Sequence, residues 1–181
     1  MPPLQEVWPW AMLAAVLVAA AVLDVWRGRI PNALTYPAVG VALAGHALGG
    51  GLTDSLIGLA AGFVPMLVLW LTGGIGGGDA KLLAAVGALA GWRFSVATML
   101  YGFIAAGLMA VGILVRRRIV RQTVRRMARS VALAMVPGPK ADPATPQSPK
   151  VPFGLALCLG AAEAVLEWAL SGDAGGWLLG R

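Results

Sequence analysis

Four carboxylates lie in or beside long apolar stretches of this chain: Asp24, Asp79, Glu163 and Glu167. An ionisable group at the edge of hydrocarbon is costly and calls for a chemical reason. Asp24 stands in L-D-V-W-R-G-R-I-P-N, residues 23–32, at the end of the first apolar stretch. Asp79 stands in G-G-I-G-G-G-D-A-K-L-L, residues 73–83, between the third and the fourth. Two carboxylates within hydrogen-bond reach cannot easily both ionise. They share a proton, so that one acts as base toward water and the other as acid toward a carbonyl oxygen. That is the apparatus of aspartic peptide hydrolysis, and it needs no metal, thiol or activated serine. Helix ends would divide the roles. Asp79 opens a helix, whose positive end favours its anion, whereas Asp24 closes one, whose negative end favours the protonated form. On this ground Asp79 is expected to be the base and Asp24 the acid.

Gly73, Gly74, Gly76, Gly77 and Gly78 precede Asp79. They allow backbone shapes closed to other residues and put no side chain over the carboxylate. An extended peptide is expected to lie against this backbone, with Gly78 keeping its path to Asp79 open. By contrast Gly87, inside the following helix, is expected to tolerate alanine. The pattern lacks the G-K-[ST] ending of a phosphate loop. The single Cys158 excludes an intramolecular disulfide and a paired-CxxC zinc site, and the single His46 excludes an HExxH site. No metal or other cofactor is expected.

The elements that must position these aspartates are membrane helices. Of 181 residues, 59% are hydrophobic and only 12% charged. Half the charge of an ordinary soluble domain cannot cover a water-exposed surface of this size. The pattern predicts an all-α polytopic bundle, one domain over residues 1–181. About six spans fall near Trp8–Leu23, Ala33–Leu48, Ser55–Thr72, Leu82–Gly91, Ser95–Val115 and Val151–Leu170. The fourth is short and is expected to be tilted, partly re-entrant or to begin nearer Asp79. Residues 1–7 hold no Lys or Arg, so the first stretch reads as a retained helix and not a secretory signal. Twelve of the 14 Lys and Arg fall on one side of these spans. By the positive-inside rule that side is cytoplasmic and both termini lie outside. The net charge of +6 is thereby assigned to cytoplasmic loops and not to nucleic-acid binding. Both Asp24 and Asp79 then sit at cytoplasmic helix ends.

Residues 116–136 read as a basic amphipathic helix. Ile119, Val120, Val124, Met127, Val131 and Met135 recur at helical spacing, with arginines between Arg116 and Arg129 on the remaining positions. Such a helix suits the surface of an anionic cytoplasmic leaflet, with docking of a partner as the alternative. Residues 137–150 hold Pro137, Pro139, Pro143, Pro146 and Pro149 and read as a linker. Glycine pairs at four-residue spacing (Gly45/Gly49, Gly58/Gly62, Gly87/Gly91) permit close helix approach.

The segments Asp24–Asn32 and Gly76–Leu83 together resemble the two signature motifs of the type IV prepilin peptidases, membrane aspartic proteases of the GxGD kind. V-P-F-G, Val151–Gly154, resembles a weaker family motif, from which Leu155 departs where the family often has proline. The resemblance implies cleavage of the short basic leader of prepilins or pseudopilins at the cytoplasmic face of the bacterial inner membrane. It maps the catalytic positions onto Asp24 and Asp79. It also maps Arg29, Ile30, Pro31 and Asn32 onto the turn after the first aspartate, and Lys81 onto the lysine after the second. Pro31 suits the first turn of a helix. Asn32 either shapes that turn or hydrogen-bonds near the dyad. Lys81 either anchors the orientation or biases the dyad's charge. Larger members also methylate the new N-terminus and carry paired CxxC motifs. With one cysteine, this chain resembles the short, peptidase-only form associated with tight-adherence (Flp) pili, so methyltransferase activity is not expected.

Glu163 lies about 18 Å along the last span, past the midplane, and repels Glu167 at i,i+4. It is expected to be protonated or paired with Arg93 or His46. Buried acids also mark ion paths, so a proton- or cation-coupled transporter or channel subunit is the alternative function. A non-enzymatic secretion-assembly factor, with the arginine helix as its interface, is a third.

Overall fold

Backbone punctuation sets the helix ends. The computed structural model describes residues 4–125 and 151–171. Its helices are α1 (Leu4–Arg27), α2 (Asn32–Leu48), α3 (Leu52–Leu71), α4 (Gly77–Ala90), α5 (Trp92–Arg116) and α6 (Phe153–Ser171). Gly28, at φ +63°, stops α1, and its N–H bonds the Asp24 carbonyl at 2.8 Å. Such a left-handed residue just past a helix is the usual stop. Pro31, at φ −74° and ψ 144°, then starts α2. The R-G-R-I-P-N run is therefore a tight reversal.

The chain is an all-α membrane bundle. Four described helical segments are long and apolar enough to cross a membrane: Val7–Arg27, Leu52–Leu71, Trp92–Arg116 and Phe153–Leu170. The 17-residue α2 and the 14-residue α4 are shorter. At 1.5 Å per residue α4 extends about 21 Å, less than the hydrocarbon thickness. It begins at Gly77, earlier than the apolar stretch Leu82–Gly91 suggests. From Asp79 to Leu89 every residue of α4 except Lys81 is buried. A helix apolar on all sides belongs inside a bundle, where its length need not match the bilayer.

Small residues make that burial possible. The backbones of Gly58 on α3 and Gly87 on α4 touch, and a Cβ on Gly87 would overlap the Gly58 carbonyl. Gly62 meets the Leu83 carbonyl in the same way. Ser55 Oγ donates to the Ala88 carbonyl at 2.7 Å along this seam. Tolerance of alanine at Gly87 is thus not what the packing allows. The glycine stands at the closest helix–helix approach, so no side chain fits. A second seam joins α5 and α6, where a Cβ on Gly160 would lie 2.8 Å from Gly102 Cα. Met66, Leu82, Leu83, Val86 and Leu157 fill the core between the seams.

Tryptophans mark both ends of the apolar layer, as amphipathic rings do at membrane interfaces. Trp10 stacks on Trp168 at 5.6 Å and meets Phe94 edge-on at 5.2 Å. At the opposite end of α1, Trp26 is 80% exposed, two residues past Asp24. Trp70 lies there against Gly77.

The chain divides into two compact units, one of Met1–Ala105 with Pro152–Arg181 and the other of Ala106–Val151. Within the second unit, the basic helix does not begin at Arg116. Arg116 ends α5, and the chain turns at Arg117 and Arg118. Ile119 N–H bonds the Leu114 carbonyl at 3.1 Å and Arg118 N–H the Val115 carbonyl at 3.0 Å, with Arg118 at φ +56°. This wrap-around pair of bonds ends α5. Helix resumes at residues 120–125, with Val120, Arg121, Val124 and Arg125 exposed. Arg126, Arg129 and the proline-rich residues 137–150 lie outside the described residues.

Candidate active site

Three helix ends converge on one isoleucine. The last turn of α1 presents Asp24, 8% exposed, and the first turn of α4 presents Asp79, 9% exposed. Gly76 N–H donates to Asp79 Oδ2 at 3.2 Å, which is the reciprocal half of a capping box. Between the two aspartates in sequence, the buried Ile30 forms the floor of the turn after α1. A Cβ on Gly78 would lie 3.1 Å from the Ile30 carbonyl oxygen and 3.2 Å from Ile30 Cβ. Gly154, at the start of α6, approaches the same residue from another side. Its Cβ would lie 3.0 Å from both Asp24 Cβ and Ile30 Cδ1. Gly154 N–H donates to Asp24 Oδ2 at 2.6 Å.

The two carboxylates feel one another. Asp79, in the turn that opens α4 and outside the four apolar spans, has its pKa pushed up from the ordinary 3.8 to about 6. Burial is the largest cause and the negative charge of Asp24 the second, while the Gly76 N–H opposes both. Such an arrangement can hold one proton between two acids at mild pH. Among the described residues no cluster of three or more His, Cys, Asp or Glu is formed.

The glycines do a different job from the one their composition suggests. The space over Gly78 is occupied by Ile30, that over Gly77 by the Trp70 ring with Nε1 at 3.2 Å, and that over Gly76 by the Asp79 carboxylate at 2.9 Å. They let the second motif press against the first, and at each of the three the place of a side chain is already filled. Lys81 Nζ donates to Asn32 Oδ1 at 2.9 Å and sits 5.0 Å from the centre of the Tyr36 ring. These two predicted residues thus join each other, tying α4 to the start of α2. Pro31 flanks them, and Arg29 is exposed in the turn.

Glu163 is exposed, and its expected partners are engaged elsewhere. His46 Nδ1 donates to the Ala42 carbonyl at 2.8 Å, and Arg93 lies over the Trp92 ring at 5.2 Å. Glu167 instead accepts from Tyr101 Oη at 2.7 Å. Gly154 is the site residue that the sequence reasoning passed over. The V-P-F-G match was its only signal, because a backbone N–H contributed by a distant helix leaves no side-chain signature.

The model of the type IV leader peptidase family matches residues 11–111, a stretch that holds both aspartates. A prepilin leader peptidase/N-methyltransferase of Aeromonas hydrophila is 38% identical over 125 residues, covering 60% of this chain and 42% of the relative. One of Burkholderia pseudomallei is 38% identical over 90 residues, covering 45% of this chain and 29% of the relative. One of Pseudomonas aeruginosa is 32% identical over 104 residues, covering 52% and 36%. The chain thus matches less than half the length of each of these curated relatives. No solved structure matches. Because the family model covers more than half of the chain, and covers the part that builds the two-aspartate site, the chain belongs to the type IV leader peptidase family.

Proposed function

We propose that this chain is a membrane aspartic endopeptidase. It removes the basic leader of type IV prepilins or pseudopilins, of the Flp type, at the cytoplasmic face of the inner membrane. The observation that carries the reading is the burial of two carboxylates from separate helices, Asp24 and Asp79, near enough for the charge of one to raise the pKa of the other. One proton is shared by the pair. The ionised member takes a proton from water as the water oxygen attacks the scissile carbonyl, and the protonated member gives its proton to the carbonyl oxygen. Arg27, Arg29 and the half-buried Lys81 lie at the dyad end of the bundle, which fits the positive-inside side. Trp26, Tyr36 and Trp70 at that end suit the headgroup layer, where a leader in water meets a stem in lipid. The exposed Arg121 and Arg125, beside Val120 and Val124, suit contact with anionic lipid. Glu163 is exposed, which favours the peptidase reading over an ion path.

Co-expression with a candidate Flp-type prepilin tests the reading. A downward gel shift and N-terminal sequencing at the leader junction are the expected results. An uncut prepilin beside correctly inserted chain would contradict it, and would favour an assembly factor or transporter. The single Cys158 leaves no paired CxxC set in this chain, and the mature product is expected to carry an unmethylated N-terminus by mass spectrometry.

EDTA is expected to leave the cleavage rate unchanged, because carboxylates alone activate the water. Inhibition that zinc or magnesium reverses would instead indicate a metal bridging the carboxylates. Gly78→Val is expected to lose most activity, by levering the Asp79 turn off Ile30 and not by blocking a peptide path. Overpacking of this kind costs about 1–3 kcal/mol, so the melting temperature should fall along with the rate. Lost activity at an unchanged melting temperature would return Gly78 to a substrate-facing role.

A further inference from the structure

The first N–H groups of a helix have no acceptor within it and must find one elsewhere when buried. Gly154 is the second residue of α6 and is buried, so its N–H is such a donor. Its acceptor is Asp24 Oδ2, 130 residues away in sequence, at 2.6 Å. An N–H donated to a carboxyl oxygen favours the ionised form of its acceptor. The positive end of the α6 dipole points the same way. The missing side chain permits the approach, since a Cβ on Gly154 would stand 3.1 Å from Asp24 Oδ2. Asp79 is held more loosely, by an N–H of its own turn at 3.2 Å.

We propose that Gly154 is a positioning residue: its backbone N–H holds the negative charge on Asp24, which makes Asp24 the base and Asp79 the acid of the pair. The proposal rests on the peptidase reading above. It reverses the assignment that follows from the ends of α1 and α4 alone, because the N-terminus of a third helix outweighs the C-terminus of α1. The bond engages Oδ2 and leaves Oδ1 of Asp24 to work. Water gives a proton to Asp24 as its oxygen bonds to the scissile carbon, and Asp79 gives its proton to the carbonyl oxygen. The resulting diol collapses as the C–N bond breaks. Asp24 then passes its proton to the leaving nitrogen, and Asp79 recovers one from a hydroxyl. Both groups return to their starting states. The other charged groups nearby do not compete for Asp24: Lys81 is engaged by Asn32 and Tyr36, while Arg27 and Arg29 are exposed.

The test uses the full chain in lipid nanodiscs, labelled with ¹⁵N-glycine, and a synthetic prepilin peptide with a basic leader and apolar stem. The Gly154 amide proton should resonate far downfield. It should move upfield in Asp24→Asn, which removes the charge, and stay in place in Asp79→Asn. Gly154→Ala keeps the N–H and adds the Cβ. Gly154→Pro deletes the N–H, at a helix turn where proline is accepted, and adds two further ring carbons, one of them on the nitrogen that faces Asp24. Relative to Gly154→Ala, the proline variant should show a kcat about 10- to 100-fold lower, with KM little changed. An amide proton indifferent to Asp24→Asn, or a proline variant as fast as the alanine one, overturns the proposal. A native chain that cuts no prepilin peptide overturns the peptidase reading, and the amide shift still decides whether Gly154 holds the charge on Asp24.

Discussion

Asp79→Asn is expected to yield a protein that cuts no prepilin and yet melts at a higher temperature than the native chain at pH 7–8. The loss of activity follows from chemistry, since an amide of nearly the same shape cannot pass a proton to and fro. The gain in stability follows from burial. Asp79 has a pKa of about 6 in the folded protein against an ordinary value of 3.8. The folded state therefore binds the proton more tightly than the unfolded one. Asp79's contribution to stability is fully present below pH 3.8, falls as pH rises through about 6, and stays lost above it. Above pH 6 the free native chain increasingly buries a second charge near Asp24, at a cost of roughly 2–3 kcal/mol, and the fraction with Asp79 protonated, the form that can act as acid, shrinks accordingly. Asparagine is neutral at every pH and can still accept the Gly76 N–H through its amide oxygen. The variant should thus melt several degrees higher at pH 8, with the difference shrinking toward pH 4. Thermal melts of both proteins across that range, in one lipid, provide the check. A variant less stable than the native chain at all pH values would mean that the carboxylate itself is a structural keystone.

Gly87→Ala should be the most damaging single methyl in the bundle. The added carbon would overlap the Gly58 carbonyl, and that atom is backbone, which cannot rotate away. Helices α3 and α4 would have to separate along the seam that also holds Gly62 against Leu83 and Ser55 against Ala88. Overpacking usually costs about 1–3 kcal/mol, and a backbone clash in a closed seam belongs at or above the top of that range. Because α4 carries Asp79 in its first turn, any tilt also spoils the dyad. We expect little folded protein, a melting temperature lowered by on the order of 10 °C in what remains, and cleavage reduced at least tenfold. Gly40→Ala and Gly107→Ala are the controls, since nothing lies within 4 Å of either added carbon. They should be neutral or slightly stabilising, because alanine favours the helix over glycine. Equal behaviour at all three positions would mean that the α3–α4 seam yields to an added methyl.

The sequence by itself determined the features that depend on local backbone and on solvent. Apolar length marked most helices to within a few residues, because hydrocarbon accepts only backbone that satisfies itself. Pro31 marked the turn after α1, because a fixed φ is a property of proline alone. The costly carboxylates at helix ends, Asp24 and Asp79, pointed to the site. Tertiary structure alone decided what fills the space beside each glycine. Gly78 and Gly87 look alike in sequence, yet one rests on Ile30 and the other on Gly58. Only tertiary structure put α4 inside the bundle, so that its shortness ceased to be an anomaly. It also ended α5 before the arginine-rich stretch resumes as helix at residue 120, through hydrogen bonds that hydrophobic periodicity does not report. Above all it brought the Gly154 N–H onto Asp24 across 130 residues. A backbone donor has no side chain to recognise, and its partner is set by how helices pack.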